Sequence, residues 1–135
     1  MGGVRTMANN KATAKRWMQW LLTREEIPFR SALAAYFANP AFARLCDCGC
    51  NSFDLALPDQ SELPLLRQPS ELGGMFFELN YRLPENHQLE VLFFVDKAGR
   101  LSGIDIEVDG NSFPVPDEPI IGELLNVSGS ATVAS

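Results

Sequence analysis

Three thiols within five residues, Cys46, Cys48 and Cys50, form the stretch of this chain with the most potential chemistry. Thiolates bind zinc, but structural zinc sites usually separate their cysteines by about two to four residues and complete the tetrahedron with a fourth ligand. Here only one residue separates successive cysteines, and the fourth ligand would be His87, the only histidine, or Asp54. A zinc site of Cys46, Cys48, Cys50 and His87 or Asp54 is therefore one interpretation of the cluster.

Two other interpretations of the cysteines stay open. In the first, an exposed thiolate is oxidised and a neighbouring thiol resolves the sulfenic acid, although the negative charges of Asp47 and Asp54 disfavour a thiolate. In the second, which we favour, the cysteines are small, semi-apolar residues at a strand–turn–strand corner where Gly49 makes the turn. An odd number of cysteines also argues against a disulfide framework.

Other catalytic motifs are absent or only weakly indicated. A single histidine without G-x-S-x-G disfavours a serine triad, and neither a P-loop nor G-x-G-x-x-G is present. Asp105, Glu107 and Asp109 alternate and could offer oxygen ligands to a hard cation, but alternating acids are more typical of a solvated strand. The sequence therefore favours a protein that is not an enzyme, with zinc as the only cofactor to consider.

The elements that position these residues centre on the stretch 74–110, bounded by Gly74 and Gly110. Three apolar runs, two of which alternate cleanly, are separated by short polar breaks at 84–88 and 97–100, a pattern that predicts a three-stranded antiparallel meander. The predicted register pairs Leu79 with Phe93 and Phe93 with Ile104. One face would carry the core residues Phe77, Leu79, Tyr81, Leu83, Leu89, Val91, Phe93, Val95, Ile104, Ile106 and Val108.

The opposite face of the meander mixes acids with large apolar residues. Scattered exposed apolar side chains are normal in soluble proteins, but an apolar patch bordered by charge often marks an interaction surface. The predicted rows place Arg82 beside Glu90 and Glu107, where it would reduce their repulsion. The predicted partner-binding residues are Phe76, Glu78, Arg82, Glu90, Leu92, Phe94, Asp105 and Glu107.

Flanking patterns complete the predicted fold. Helical spacing predicts helices at 11–22 and 29–37, the second with Pro28 at its first position, and short strands at 41–46 and 52–57. The segment 58–74 is a long polar connection, and Ile120, Ile121, Leu124 and Leu125 would close the core. The predicted fold is α+β, a helix pair packed on one face of an antiparallel sheet of about four to five strands. It forms a single domain over 11–127, with flexible tails at 1–10 and 128–135.

The net charge of −6 conceals an asymmetry. Residues 1–24 carry five cations and no acid, whereas the remaining six cations and seventeen acids leave −11. An acidic body disfavours nucleic-acid binding, and the basic N-terminal helix would contact an acidic surface of its own or a neighbouring chain. We therefore expect a protein-binding module whose partner is another protein or a second copy; toxin neutralisation is one such role, by analogy only.

Patterns that direct a protein to or across a membrane also bear on its location. The sequence contains neither an apolar run of roughly 18 residues nor a signal-peptide pattern. It therefore predicts a cytoplasmic protein with no transmembrane segment.

The segment CDCGC-NSFDLAL at residues 46–57 resembles that of a set of small uncharacterised bacterial proteins with a C-x-C-G-C-[polar]-S-[apolar]-D-[apolar] pattern. The hairpin FFVDKAGRLSGIDIEVDG and the exit FPVPD are similar as well, so the resemblance covers residues 29–120. Asn51 departs from the small residue or proline expected there, and the segment 58–74 is expanded. The resemblance implies an α+β domain with antiparallel strands and implies no activity.

Overall fold

The computed structural model describes residues 9–46, 50–57, 62–129 and 131. Its helices are α1 (Lys11–Leu21) and α2 (Arg30–Phe37), and its strands are β1 (Phe42–Leu45), β2 (Phe53–Leu55), β3 (Gly74–Arg82), β4 (Gln88–Val95), β5 (Leu101–Val108) and β6 (Leu124–Gly129). The strands form one antiparallel sheet in the order β1-β2-β5-β4-β3-β6. The predicted α+β fold is confirmed, with six strands instead of about four to five. No helix in these ranges is long and apolar enough to cross a membrane.

Helix α1 begins where its sequence supplies a cap. The Asn10 side chain accepts a hydrogen bond from the Thr13 N–H at 2.9 Å, which satisfies one of the free donors of the first turn. Ala14, Trp17, Met18 and Leu21 then form a buried stripe at helical spacing. The helix predicted for residues 11–22 is confirmed, and its apolar stripe faces the core.

Helix α2 starts one residue later than predicted, because Phe29 is its cap and Pro28 lies before the helix instead of at its first position. Phe29 is 1% exposed, and its ring centroid lies 5.0 Å from that of Phe77 and 5.6 Å from that of Phe93. The Tyr36 hydroxyl donates to the carbonyl of Pro64. This side of the helix therefore packs on the sheet, as predicted.

The register of the meander agrees with the sequence at one hairpin and differs at the other. β4 and β5 pair as predicted, with Phe93 opposite Ile104. β3 and β4 are offset by two residues from the prediction, so that Leu79 lies opposite Val91. The turn sets this offset, because the Leu83 N–H donates to the His87 carbonyl at 2.8 Å. A shift of two residues leaves every side chain on its predicted face.

A β-bulge between Met75 and Phe77 changes one predicted position. Met75 pairs with Phe94 and Phe77 pairs with Phe93, so Phe76 is the extra residue. Phe76 is 4% exposed and its ring centroid lies 5.3 Å from that of Phe29, whereas Met75 is 52% exposed. The prediction that Phe76 lies on the partner-binding face is therefore wrong, because the bulge turns it into the core and places Met75 outside.

The C-terminal part also differs from the prediction. Residues 124–129 form β6, which pairs with β3, so the predicted flexible tail does not begin at 128. Ile120 is 72% exposed and does not close the core, and Leu124 is 39% exposed. Val115 closes the core instead, and Ile121 packs against it only partly buried.

The chain before β3 is irregular but anchored. Residues 62–73 contain no helix or strand. Leu66 is completely buried, and its N–H donates to the Gly99 carbonyl at 2.8 Å. This part of the predicted long connection is therefore packed against the β4–β5 turn. Residues 58–61 lie outside the described ranges.

Candidate functional site

The two helices cover one face of the sheet, and no helix or strand of the described residues covers the other. Pairing across β3, β4 and β5 puts Glu78, Leu92 and Asp105 in one row and Asn80, Glu90 and Glu107 in the next. A third row contains Met75, Phe94 and Gly103. We call this surface the open face; its side chains are those of Met75, Glu78, Asn80, Glu90, Leu92, Phe94, Asp105 and Glu107.

The carboxylates of the open face are crowded. Partial burial raises the pKa of Glu107, and the negative charges of Asp105, Glu90 and Glu78 raise it further. Burial also raises the pKa of Asp105, as does the charge of Asp54, against the opposing effects of Ser52 and Arg44. At neutral pH these acids therefore concentrate negative charge at the centre of the sheet.

Hydrogen bonds hold this acidic group in place. The Asn80 side-chain amide donates to Glu78 Oε2 at 3.2 Å, and the Asn126 amide donates to Asn80 Oδ1 at 3.1 Å. Glu90 Oε1 accepts from the Gly110 N–H at 2.7 Å. Because Asn126 belongs to β6, the strand missed from the sequence helps to orient the predicted site residues.

Arg82 does not neutralise the open face as predicted. It lies at the end of β3, opposite Gln88 instead of Glu90. Its Nε contacts Glu123 Oε1 at 2.9 Å, and its Nη1 donates to Asn86. In the described ranges no ion pair reaches Glu78, Glu90, Asp105 or Glu107. The offset register therefore leaves the acidic group without the cation that the sequence suggested.

An apolar end adjoins the acidic group. Met75 and Phe94 are paired neighbours, and Leu72, which is 82% exposed, lines a hollow of about 340 Å³ together with Met75. Sequence reasoning missed both Leu72 and Met75. Their local signal was weak, because exposing Met75 depends on the bulge at Phe76. The open face thus combines an apolar end with a negatively charged centre.

The cysteine cluster lies elsewhere, at the β1–β2 corner. The Cys46 N–H donates to the Ser52 carbonyl at 3.0 Å, and Cys50 is 5% exposed. Cys46 and Cys50 form no disulfide with each other. Cys48 lies outside the described residues, and within them no group of His, Cys, Asp or Glu side chains is arranged to hold a metal ion. The zinc and thiol interpretations therefore remain predictions.

His87, the predicted fourth zinc ligand, contacts other groups. Its Nδ1 lies 2.5 Å from Asp109 Oδ2, and its ring stacks on Phe113 with centroids 4.0 Å apart. Burial would raise the pKa of Asp109, but hydrogen bonds from His87 and from the Gln88 N–H outweigh it and hold that pKa below its usual value. Asp109 takes a left-handed conformation (φ 51°) after β5, so it leaves the alternating series of Asp105 and Glu107. These contacts fasten the β3–β4 turn to the end of β5.

No protein-family model, no curated protein and no solved structure matches the chain. The resemblance to small bacterial proteins with a C-x-C-G-C segment stays a prediction. The chemistry of the open face is therefore the basis for a function.

Proposed function

We propose that this chain is a non-enzymatic binding module whose open face binds a partner protein with a basic surface. The main support is the group of four carboxylates, Glu78, Glu90, Asp105 and Glu107, which has no ion pair in the described ranges and lies beside exposed apolar side chains. The proposal includes the cytoplasmic location expected from the sequence.

A basic partner would satisfy both parts of this surface. Lysine or arginine side chains opposite the acidic group would replace repulsion among like charges with attraction, and they would speed association. Burial of Met75 and Phe94 would add hydrophobic free energy at the other end. Nucleic acid is disfavoured, since its phosphates carry the same charge sign as the open face.

A second copy of the chain could supply such a basic surface. Helix α1 exposes Lys11, Lys15 and Arg16. Its buried stripe belongs to the core on the helix-covered side of the sheet, so these cations do not neutralise the open face of their own chain. Contact of α1 from one copy with the open face of another would be head-to-tail and would not close into a symmetric dimer by itself.

The test compares two variants of equal charge. Glu90→Gln with Glu107→Gln alters the open face, and Glu25→Gln with Glu71→Gln removes the same charge from exposed positions off this face. Each protein is used to capture partners from an extract of its own organism, and the retained protein is then purified and titrated calorimetrically. Sedimentation of the chain alone checks for self-association.

We expect a basic protein, or a second copy, to bind the wild type and the control equally. The open-face variant should bind at least about tenfold more weakly at physiological salt, which corresponds to about 1.4 kcal/mol. Binding should also weaken with added salt. Equal affinity of the open-face variant, or a partner that is acidic, would contradict the proposal. Failure of the wild type to retain any basic protein or to self-associate would contradict it as well.

A further inference from the structure

A second surface feature lies on the helix-covered side of the molecule. A cleft of about 250 Å³ separates α1 from the chain that leads into β6. Trp17 and Trp20 line it on the helix side, and Asp117, Glu118 and Ile121 line it on the other. We call it the tryptophan cleft. It does not include any residue of the open face.

The aromatic wall of the cleft is rigid. Trp17 and Trp20 are three residues apart on α1, and their rings meet edge to face with centroids 5.5 Å apart. The indole N–H of Trp17 donates to the Asn51 side-chain oxygen at 2.9 Å, with the Asn51 amide turned to donate to the Cys50 carbonyl. The Trp20 ring rests against Tyr81 at 5.3 Å. Both rings are thus held in place before any ligand arrives.

The acidic wall carries an unsatisfied group. Asp117 Oδ1 is buried and accepts no hydrogen bond within the described ranges. A buried carboxylate oxygen without a donor has lost its water and gained no hydrogen bond in exchange. Rotation of the side chain toward the cleft would let a charged donor satisfy it. Glu118, an exposed neighbour, adds a second negative charge at the same wall.

The aromatic wall also suits a cation. Indole rings attract cations through the negative faces of their π systems, and the Arg24 guanidinium already lies 5.0 Å from the Trp20 ring centroid, outside the cleft. Among the described residues Arg16 is the one cation that lines the cleft, and its Nη2 donates a long hydrogen bond of 3.4 Å to Thr13 Oγ1. Two carboxylates and one guanidinium leave the lining with a net negative charge.

We propose that the tryptophan cleft binds an alkylammonium group. The ammonium donates to the carboxylate of Asp117, whose side chain rotates toward the cleft to meet it, and its apolar stem packs against Trp17 and Trp20. The ammonium group could belong to a small amine or to a lysine side chain, since the chemistry of recognition is the same. This site is separate from the open face, so it stands or falls independently of the proposed function.

Intrinsic fluorescence offers a direct measurement, because Trp17 and Trp20 are the only tryptophans in the chain and both line the cleft. The probes are n-butylammonium, its neutral counterpart n-butanol, and an acetylated and amidated Gly-Lys-Gly peptide. We expect saturable changes with n-butylammonium, at a dissociation constant on the order of millimolar for so small a ligand, and none with n-butanol. The peptide shows whether a lysine side chain in a chain can also enter.

Three single variants should change the affinity for n-butylammonium in different ways. Asp117→Asn should weaken binding about tenfold, because it removes the charge-assisted hydrogen bond. Arg16→Gln should strengthen binding, because it removes the competing cation. Glu71→Gln, which changes an exposed acid outside the cleft, should leave binding unchanged. Circular dichroism and urea titration confirm that each variant is folded.

Three outcomes would overturn the proposal. The first is an equal response to n-butanol, which would mean that the cleft recognises only the apolar stem. The second is weaker binding in Arg16→Gln, which would indicate an anionic or zwitterionic ligand. The third is the absence of a saturable change with both ammonium probes.

Discussion

Glu90 and Glu107 lie directly opposite each other on β4 and β5, and neither carboxylate has an ion pair within the described ranges. Like charges at directly paired positions of a sheet destabilise it. The Gly110 N–H donates to Glu90 and holds that carboxylate in position, but no donor among the described residues stabilises the ionised form of Glu107 in the same way. Folding therefore keeps an unfavourable charge contact on a surface where a basic partner would remove it.

Glu107→Gln should stabilise the protein at neutral pH by roughly 0.2–1 kcal/mol, the range of cross-strand pair energies. The pKa of Glu107 is raised in the folded state, so between its usual value of 4.5 and the folded value the folded protein binds more protons than the unfolded chain. The contribution of this group to the free energy of unfolding consequently falls as pH rises through that window, and the full penalty applies above it.

The measurement is urea unfolding of Glu107→Gln and wild type at neutral pH and at a pH well below 4.5. The advantage of the variant should disappear at the lower pH, where the glutamate is protonated in both states. Molar salt should shrink it at neutral pH. Glu71→Gln, an exposed acid off the open face, serves as the control. A variant that is less stable than wild type at neutral pH would refute the crowding of these carboxylates.

The bulge in β3 buries the side chain of Phe76 and exposes that of its neighbour Met75. Phe76→Ala should lower the free energy of unfolding by about 3–5 kcal/mol, because it leaves a cavity beside Phe29 and Phe93. Met75→Ala should change it by less than about 1 kcal/mol, since this side chain is 52% exposed. Denaturant titrations of both variants measure the difference. Similar losses in the two variants would show that the strand is paired without the bulge.

Gly99 and Gly110 both have positive φ, but an added Cβ would clash with described neighbouring atoms only at the first. Gly99 (φ +88°) faces the Arg67 carbonyl, and a Cβ there would lie 2.0 Å from its oxygen. No atom of the described residues lies within 4 Å of the Cβ position of Gly110 (φ +64°). Gly99→Ala should therefore cost about 3 kcal/mol from strain and displacement of the anchored segment 62–73, and Gly110→Ala about 1 kcal/mol from strain alone.

Thermal and urea unfolding of the two alanine variants check this difference. The loss in Gly99→Ala should be accompanied by faster proteolysis within 62–73, because the Leu66 N–H donates to the Gly99 carbonyl. Equal losses in the two variants, or unchanged proteolysis, would show that the segment is not packed against the β4–β5 turn.

Much of this fold could be predicted because its signals are local. Alternation along β4 and β5 identified the core face, since burial on one face of a strand repeats every second residue. The helical spacing of Ala14, Trp17, Met18 and Leu21 identified α1 in the same way. Strand β6 was missed because Leu124–Gly129 is mostly exposed and shows no alternation, and its pairing with β3 is a contact between distant parts of the chain.

The candidate site was predicted in composition but not in arrangement. Glu78, Glu90, Leu92, Phe94, Asp105 and Glu107 occupy the open face, as the alternation indicated. Phe76 was wrongly included and Met75 omitted, because the bulge buries Phe76 against Phe29, the cap residue of α2. The tryptophan cleft had no local signal, since its two walls come from chain segments about a hundred residues apart.

By itself, the sequence determined which face of the sheet is buried and that the other face is acidic, since both follow from the side-chain period of a strand. Only the tertiary structure decided that these acids have no ion-pair partner among the described residues. The turn at Leu83 and His87 shifts β3 by two residues, and the chain entering β6 brings Glu123 to Arg82. A shift of two residues preserves the faces and changes the partners, so alternation alone could not reveal it.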